Sequence, residues 1–167
     1  MNTKIPKLST LIESKKFDWV NSNITDTLFP APKEIKNDFK VFHFNKYVSS
    51  EDAVKEMEKE GFRPANIYEL LSWKDWNGED TVVALGSVGR VGGDRNVPHL
   101  GRDGSRRYLA LRWWANDGGA HCRFLGVRKS SLSNSDTHKN DTVALGNLEK
   151  RVSELERKLS EIGKIIK

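Results

Sequence analysis

The chain has 167 residues, a formal net charge of +5 and 37% hydrophobic residues. This length allows one domain of about 100 residues with additional segments, and the apolar content excludes a wholly disordered chain. The single cysteine, Cys122, excludes an internal disulfide, and no apolar run approaches the roughly 20 residues that a transmembrane helix needs.

Residues 1–37 are predicted to form a polar N-terminal extension, in which Pro30 and Pro32 mark an irregular connection. Its structural role is not evident from the pattern. Four apolar side chains of this extension could pack on the main body of the protein: Phe17, Trp19, Val20 and Ile24.

The main domain is predicted to span residues 38–129 and to begin with a strand at 38–44 (DFKVFHF), since aromatic and β-branched residues favour strands. A helix should begin at Ser49 or Ser50, because acidic residues in its first turn suit the helix dipole. Gly61 should end this helix.

A second helix is expected after Pro64, followed by a short buried strand at 81–85 (TVVAL). Residues 108–114 (YLALRWW) should form another strand, with odd-numbered side chains on one face and even-numbered ones on the other. Residues 123–128 are expected to form the closing strand.

Residues 86–121 have an unusual composition. These 36 residues contain no Lys, Glu, Gln or Met, but six of the 11 arginines. The other 131 residues hold 29 Lys plus Glu, so about eight would be expected here. Gln is absent from the whole chain and Met is rare, so it is the absence of Lys and Glu that makes residues 86–121 unusual.

The missing amino acids all require a purine in the third codon position, whereas the abundant ones can all be encoded with a pyrimidine there. Random replacement of adenines in asparagine codons that end in a pyrimidine would give this pattern. Between the polar positions, seven apolar residues are spaced so that we expect them to hold the core: Val88, Val91, Val97, Leu100, Leu109, Leu111 and Trp113.

Residues 130–142 are predicted to be a flexible linker, because they contain almost no apolar side chains. Residues 143–167 follow a heptad pattern that predicts a coiled coil. The a and d positions of this pattern are Leu145, Leu148, Val152, Leu155, Leu159, Ile162 and Ile166.

A parallel pairing would place Arg151 opposite Glu156 of the other copy, whereas an antiparallel pairing would bring like charges together. We therefore expect a homo-oligomer, either a parallel dimer or a parallel trimer. The alternative is a monomeric amphipathic helix packed on the domain.

Four blocks occur in order along the domain, at 61–73 (GFRPANIYELLSW), 83–88 (VALGSV), 109–114 (LALRWW) and 122–129 (CRFLGVRK). Together they resemble the target proteins of diversity-generating retroelements, specifically those of small-genome bacteria and archaea and their viruses. The resemblance covers about residues 38–129. The combination of blocks is specific, although no single block is.

The resemblance implies an α+β fold with a C-type-lectin-like domain, the fold shared with formylglycine-generating enzymes. It also implies a variable region, here about 86–121, that is rewritten by adenine-directed mutagenesis during reverse transcription of a template repeat. This agrees with the codon pattern inferred from composition. The chain would then be a diversified, receptor-like ligand-binding protein.

We expect the diversified side chains to form one contiguous face on strands and loops held by a rigid body. The face is expected to be net positive and its unknown ligand to be a protein or other macromolecule of acidic character. The residues expected on it are Arg90, Asp94, Arg95, Asn96, His99, Arg102, Asp103, Arg106, Arg107, Tyr108, Arg112, Asn116, Asp117 and His121.

The main alternative is a nucleic-acid-binding module with a fixed arginine-rich face. The absence of lysine from the segment argues against it, because a phosphate binder has no reason to exclude lysine. Calcium-dependent sugar binding is a weaker alternative. Residues 114–117 (WAND) are similar to the Trp-Asn-Asp ligands of true C-type lectins, but the spacing differs by one and the partner motif is missing.

We expect no enzymatic activity, metal or cofactor. The histidines and Cys122 lack the spacing of a metal site, and His121 and Cys122 would point to opposite sides of a strand. Cys122 is instead expected to be a small buried residue. With no signal peptide and no membrane span, we expect a cytoplasmic protein, while release and virion association remain open.

Overall fold

The computed structural model of the chain describes residues 4–130 and 151–158. It divides into two compact units, Met1–Arg128 and Lys129–Lys167. The first unit combines three helices with a large sheet, so the prediction of a mixed α+β domain is confirmed.

The described part of the first unit contains three helices, all before residue 73, and eight strands, of which the last five follow one another along the chain. The three helices are α1 (Leu8–Lys15), α2 (Ser50–Lys59) and α3 (Ile67–Ser72). The eight strands are β1 (Trp19–Val20), β2 (Phe39–His43), β3 (Phe62–Pro64), β4 (Val82–Val83), β5 (Gly89–Val91), β6 (Asp94–Asp103), β7 (Arg106–Trp113) and β8 (Arg123–Arg128).

All eight strands belong to one mixed sheet. Its main order is β1-β7-β6-β4-β8-β2, with β3 paired to β8 and β5 paired to β6. The β1–β7 and β4–β8 pairs are parallel, and the others are antiparallel. The strands predicted from 38–44, 81–85, 108–114 and 123–128 are therefore present, with slightly different ends.

The two predicted helices are also present, and local capping explains where they begin. The Ser49 hydroxyl accepts a hydrogen bond from the Asp52 N–H at the start of α2, and Gly61 follows the helix with a φ of 82°. Asn66 and Glu69 form a reciprocal capping box at the start of α3.

One hydrophobic core lies between the sheet and helices α1 and α3. It contains buried Leu71 of α3, Leu109 of β7 and, from the predicted N-terminal extension, Leu8, Ile24 and Phe29. The sequence between Leu8 and Phe29 is therefore an integral part of the domain. Helix α1 was not predicted.

A second core lies on the opposite side of the sheet, under α2. Adjacent residues of β4 show the division, because Val82 belongs to the first core and Val83 to the second. Met57 of α2 and Cys122 pack in this second core. Cys122 is 5% exposed, which confirms its prediction as a small buried residue.

The seven apolar residues expected to hold the core differ in their burial. Val97, Leu100 and Leu109 are buried, but Val88 is 45% exposed and Trp113 is 57% exposed. The expectation is therefore wrong for these last two. Trp113 is the last residue of β7, beyond the stretch that packs on the first core.

Residues 151–158 are helical, and two predicted seam residues in this stretch, Val152 and Leu155, are more than half exposed. Residues 131–142 of the predicted linker and the other seam residues lie outside the described part of the chain. Within the described ranges, no helix is both long enough and apolar enough to cross a bilayer.

Candidate ligand-binding surface

The compositionally biased segment forms three consecutive antiparallel strands, β5, β6 and β7. Gly92 and Gly93 connect the first two strands and have φ values of 61° and 90°, as a type I′ turn requires. Gly104, with a φ of 58°, begins the two-residue connection from β6 to β7. These glycines allow tight turns, so the segment is a compact meander.

The two sides of the β6–β7 pair have different environments. The register pairs Leu100 with Leu109, and both side chains are buried in the first core. The next pair, Gly101 and Tyr108, faces the other way. Helix α2 covers that side over Val83 and Phe124 but leaves Tyr108 only half-buried.

An open groove of about 660 Å³ lies on this second side. Tyr108 and Ala110 of β7 line it, together with Trp19, which is 53% exposed. The Tyr108 ring lies directly over Gly101, where an added Cβ would come within 2.5 Å of the ring. The other residues that line the groove are Asp18, Asp103 and Arg106.

Backbone contacts fix β1 beside β7. The Asp18 N–H donates to the Arg107 carbonyl at 2.9 Å, and the Asn21 N–H donates to the Leu109 carbonyl at 2.9 Å. The Arg107 N–H donates to Asp18 Oδ2 at 2.8 Å. None of these bonds uses a β7 side chain, so the backbone of β1 is held by main-chain atoms of the biased segment.

His99 lies on the same side as Tyr108, with its ring edge-on to the tyrosine at a centroid distance of 5.8 Å. Its Nδ1 atom is buried and has no hydrogen-bond partner. Burial, with a smaller contribution from the positive charge of Arg112, lowers the pKa of His99 to about 4. His99 is therefore neutral at pH 7.

Arg112 holds the loop that follows β7. Its Nη2 atom donates to the carbonyls of Asn116 and Asp117, both at 2.9 Å, and its Nη1 atom lies 3.4 Å from Cys122 Sγ. The side chains of Asn116, Asp117 and His121 remain exposed. Arg112 therefore acts within the protein, while its loop presents three predicted site residues to solvent.

A second depression, of about 310 Å³, lies at the β5–β6 turn and includes Arg90 and Asp94. Arg95 and Trp114 also line it, with the guanidinium 5.1 Å from the indole ring. The Trp114 indole N–H donates to the Glu51 carboxylate of α2, and this bond lowers the pKa of Glu51. Three predicted site residues therefore meet here, apart from the groove.

Four predicted site residues do not share the face of Tyr108. The strand register places Asp94, Asn96, Arg102 and Arg107 on the opposite side of the meander, because side chains alternate along a strand. Asn96 is only 5% exposed. This corrects the expectation that all 14 residues form one contiguous face.

The expected positive charge of the face is largely engaged within the protein. The five arginines that already contact a carboxylate, a carbonyl or an aromatic ring are Arg90, Arg95, Arg102, Arg107 and Arg112. The charged residues of the groove are Arg106, Asp18 and Asp103. The groove itself therefore has two carboxylates and one guanidinium.

Sequence reasoning did not predict Asp18 and Trp19 as site residues, because they precede the biased segment by about 70 residues. The only available signal was the group of apolar side chains, Trp19 among them, in a largely polar extension. Within residues 4–130 and 151–158, no three His, Cys, Asp or Glu side chains are grouped so that they could hold a metal ion.

Comparisons of the chain with known protein families, with curated proteins and with solved structures give no match. Its function must therefore be inferred from its sequence pattern and from the surfaces described above.

Proposed function

We propose that this protein is the diversified target protein of a diversity-generating retroelement, and that it binds ligands without enzymatic activity. The observation that carries the proposal is the composition of residues 86–121, which lacks Lys and Glu entirely. This segment coincides with the β5–β7 meander and its adjoining loops. The domain would then be a C-type-lectin-like scaffold.

The burial pattern supports this proposal. Leu100 and Leu109 pack into the first core and Val97 packs into the second core on the other side of the sheet, and all three are at most 3% exposed. Tyr108 and Ala110 lie on the open side of β7 and outside both cores, where substitutions are expected to cost less stability than in the core. Such a scaffold can change its outer surface without losing its core.

The ligand is proposed to be a macromolecule, with a protein favoured. The groove combines an exposed tryptophan, Trp19, with Tyr108 and Arg106, and these three residue types are enriched at the energetic centres of protein interfaces. An acidic ligand, expected from the arginine content, is less favoured because Asp18 and Asp103 also line the groove. Trp19 would supply an invariant contact beside the variable ones.

The C-terminal helix is proposed to form a parallel dimer or trimer. The exposure of Val152 and Leu155 on a helical stretch supports this, since an apolar seam gains stability when it is paired. Linked copies would raise avidity by orders of magnitude without new contacts. Sedimentation of the full chain should show a dimer or trimer, and Leu155→Asp should give a monomer.

The nucleic-acid-binding alternative has less support. A phosphate-binding face needs arginines on one side of the molecule, yet Arg106 and Arg107 are on opposite sides of β7. Arg102 is paired with Glu79 at 3.3 Å. Nucleic acid is therefore not a required partner of the protein itself, and any weak binding should fall steeply with salt concentration.

Sequencing of the gene and its flanking DNA in many individuals of the source population tests the proposal. We expect substitutions confined to codons 86–121 and a nearby near-repeat that carries adenines at the substituted positions. The codons for Asp18 and Trp19 should stay invariant. An invariant 86–121 segment with no repeat would contradict the proposal, and a fixed binding site would then be the better interpretation.

A further inference from the structure

A small cavity lies on the side of β7 that faces away from the groove. Its volume is about 50 Å³, and its aromatic walls are Phe17, Trp73 and Trp76. Three cationic residues also line it: Lys15, Lys74 and Arg107. They come from separate parts of the chain, the end of α1, the segment after α3 and the start of β7.

Two of these cations are held against the cavity. The Arg107 guanidinium lies over the Trp76 ring, 4.7 Å from its centroid. The Lys15 Nζ donates to the Trp73 carbonyl at 2.9 Å. Both side chains are half-buried.

No carboxylate among the described residues lies within ion-pair distance of the three cationic groups at the cavity, those of Lys15, Lys74 and Arg107. Asp18 contacts Arg107 only through the backbone N–H. Arg107 Nε is buried and has no hydrogen-bond partner. Burial lowers the pKa of Lys15, and the charges of Arg107 and Lys74 lower it further.

Such a cluster is stabilised when an anion enters it. Like charges repel more strongly beside apolar walls than in water, and an oxyanion would replace this repulsion with charge-assisted hydrogen bonds. Arg107 offers a planar set of donors that matches the oxygens of phosphate or sulfate.

We propose that the cavity formed by Lys15, Lys74, Arg107 and Trp76 binds a single oxyanion of phosphate or sulfate size. The volume limits the ligand. One water molecule needs about 10–15 Å³ of cavity volume, so a cavity of about 50 Å³ has room for about four water-sized groups. A phosphate group fits, whereas a whole nucleotide does not.

The site does not depend on the proposed diversification. If the gene is diversified, however, Arg107 would vary between copies while Lys15, Lys74 and Trp76 would not, because only Arg107 belongs to residues 86–121. Anion binding would then differ from one copy to another.

The test is a titration of the full chain with inorganic phosphate, with sodium chloride adjusted to keep the ionic strength constant. The NMR resonances of the five tryptophan indole N–H groups report where the phosphate binds. We expect saturable shifts of Trp73 and Trp76 but not of Trp113, together with a rise in Tm. A titration with phosphoserine distinguishes a free anion from a phosphate group on a larger molecule.

Arg107→Ala should weaken phosphate binding at least tenfold, and Lys15→Met should do the same if Arg107→Ala does not fold. Arg106→Ala is the matched control, because it removes the adjacent arginine on the opposite side of β7, and it should change the affinity less than twofold. Shifts that do not saturate, or equal weakening by Arg106→Ala and Arg107→Ala, would overturn the proposal.

Discussion

The two sides of the β6–β7 pair belong to the same strands and the same biased segment, yet around Leu109 they have different environments. On one side, Leu100 and Leu109 are at most 3% exposed and complete the first core. On the other, Tyr108 and Ala110 line an open groove. A strand thus separates scaffold from surface with a period of two residues, without any break in the chain.

Arg106 and Arg107 show the same division at single-residue resolution. Arg106 lines the groove, whereas Arg107 is half-buried over Trp76 on the other side. Neighbouring residues of one type therefore have different roles. The difference teaches that composition identifies the segment, but only the pairing of strands assigns each side chain to a surface.

The largest expected change in stability comes from a substitution on the buried side of β7. Leu109→Ala removes a fully buried side chain and is expected to lower the free energy of unfolding by about 2–5 kcal/mol, through lost burial and a residual cavity. Ala110→Ser, one residue further on the open side, should cost about 0.5 kcal/mol or less. Urea denaturation measures both. Equal effects would mean that the register of β7 is shifted.

Ion pairs should follow the same distinction between scaffold and surface. Arg63 contacts the fully buried Glu69 at 2.6 Å, so Arg63→Met would leave a buried carboxylate without its counter-charge and should cost about 3 kcal/mol. Arg102→Met removes the exposed pair with Glu79 and should cost about 1 kcal/mol or less. Thermal unfolding at matched pH compares them. A larger effect of Arg102→Met would contradict the distinction.

His99 is an exception to the simple division, because it lies on the open side but is largely buried. Its folded pKa of about 4 is below the unfolded value of 6.5, so protonation favours the unfolded chain. Its contribution to stability is therefore complete above about pH 6.5 and is lost as the pH falls towards 4.

The predicted loss is up to about 3 kcal/mol, which follows from the size of the pKa difference. Denaturation at a series of pH values should show the free energy of unfolding falling below pH 6.5 in the parent protein. The fall should be less steep in His99→Gln, because glutamine does not titrate. The same slope in both proteins would exclude His99 as its source.

A smaller loss of stability is expected when Arg112, which donates to loop carbonyls and contacts Cys122, is removed. Arg112→Ala removes two hydrogen bonds to loop carbonyls and should cost about 1–2 kcal/mol. Hydrogen exchange of the Gly118 and Cys122 amides should become faster, while Arg106→Ala leaves it unchanged. Unchanged protection in Arg112→Ala would show that the loop is held by its other contacts.

Local signals predicted much of the scaffold. The strand at 39–43, helix α2 with its serine cap and a helix after Pro64 were all evident, because capping and side-chain periodicity act over a few residues. The Asn66 cap of α3 was not predicted. Helix α1 was not evident, since it has no side-chain cap and no acidic residue in its first turn. Its stability comes from packing Leu8 into the first core.

The sequence by itself determined the mixed α+β class, the boundaries of the biased segment and the alternation of side chains along β7, since each depends on neighbouring residues or on composition. Only the tertiary structure decided that Trp19 joins Tyr108 in one groove and that Arg107 turns towards Lys15 and Trp76. Those contacts join residues distant along the chain, and their geometry follows from strand order and register, which no local pattern encodes.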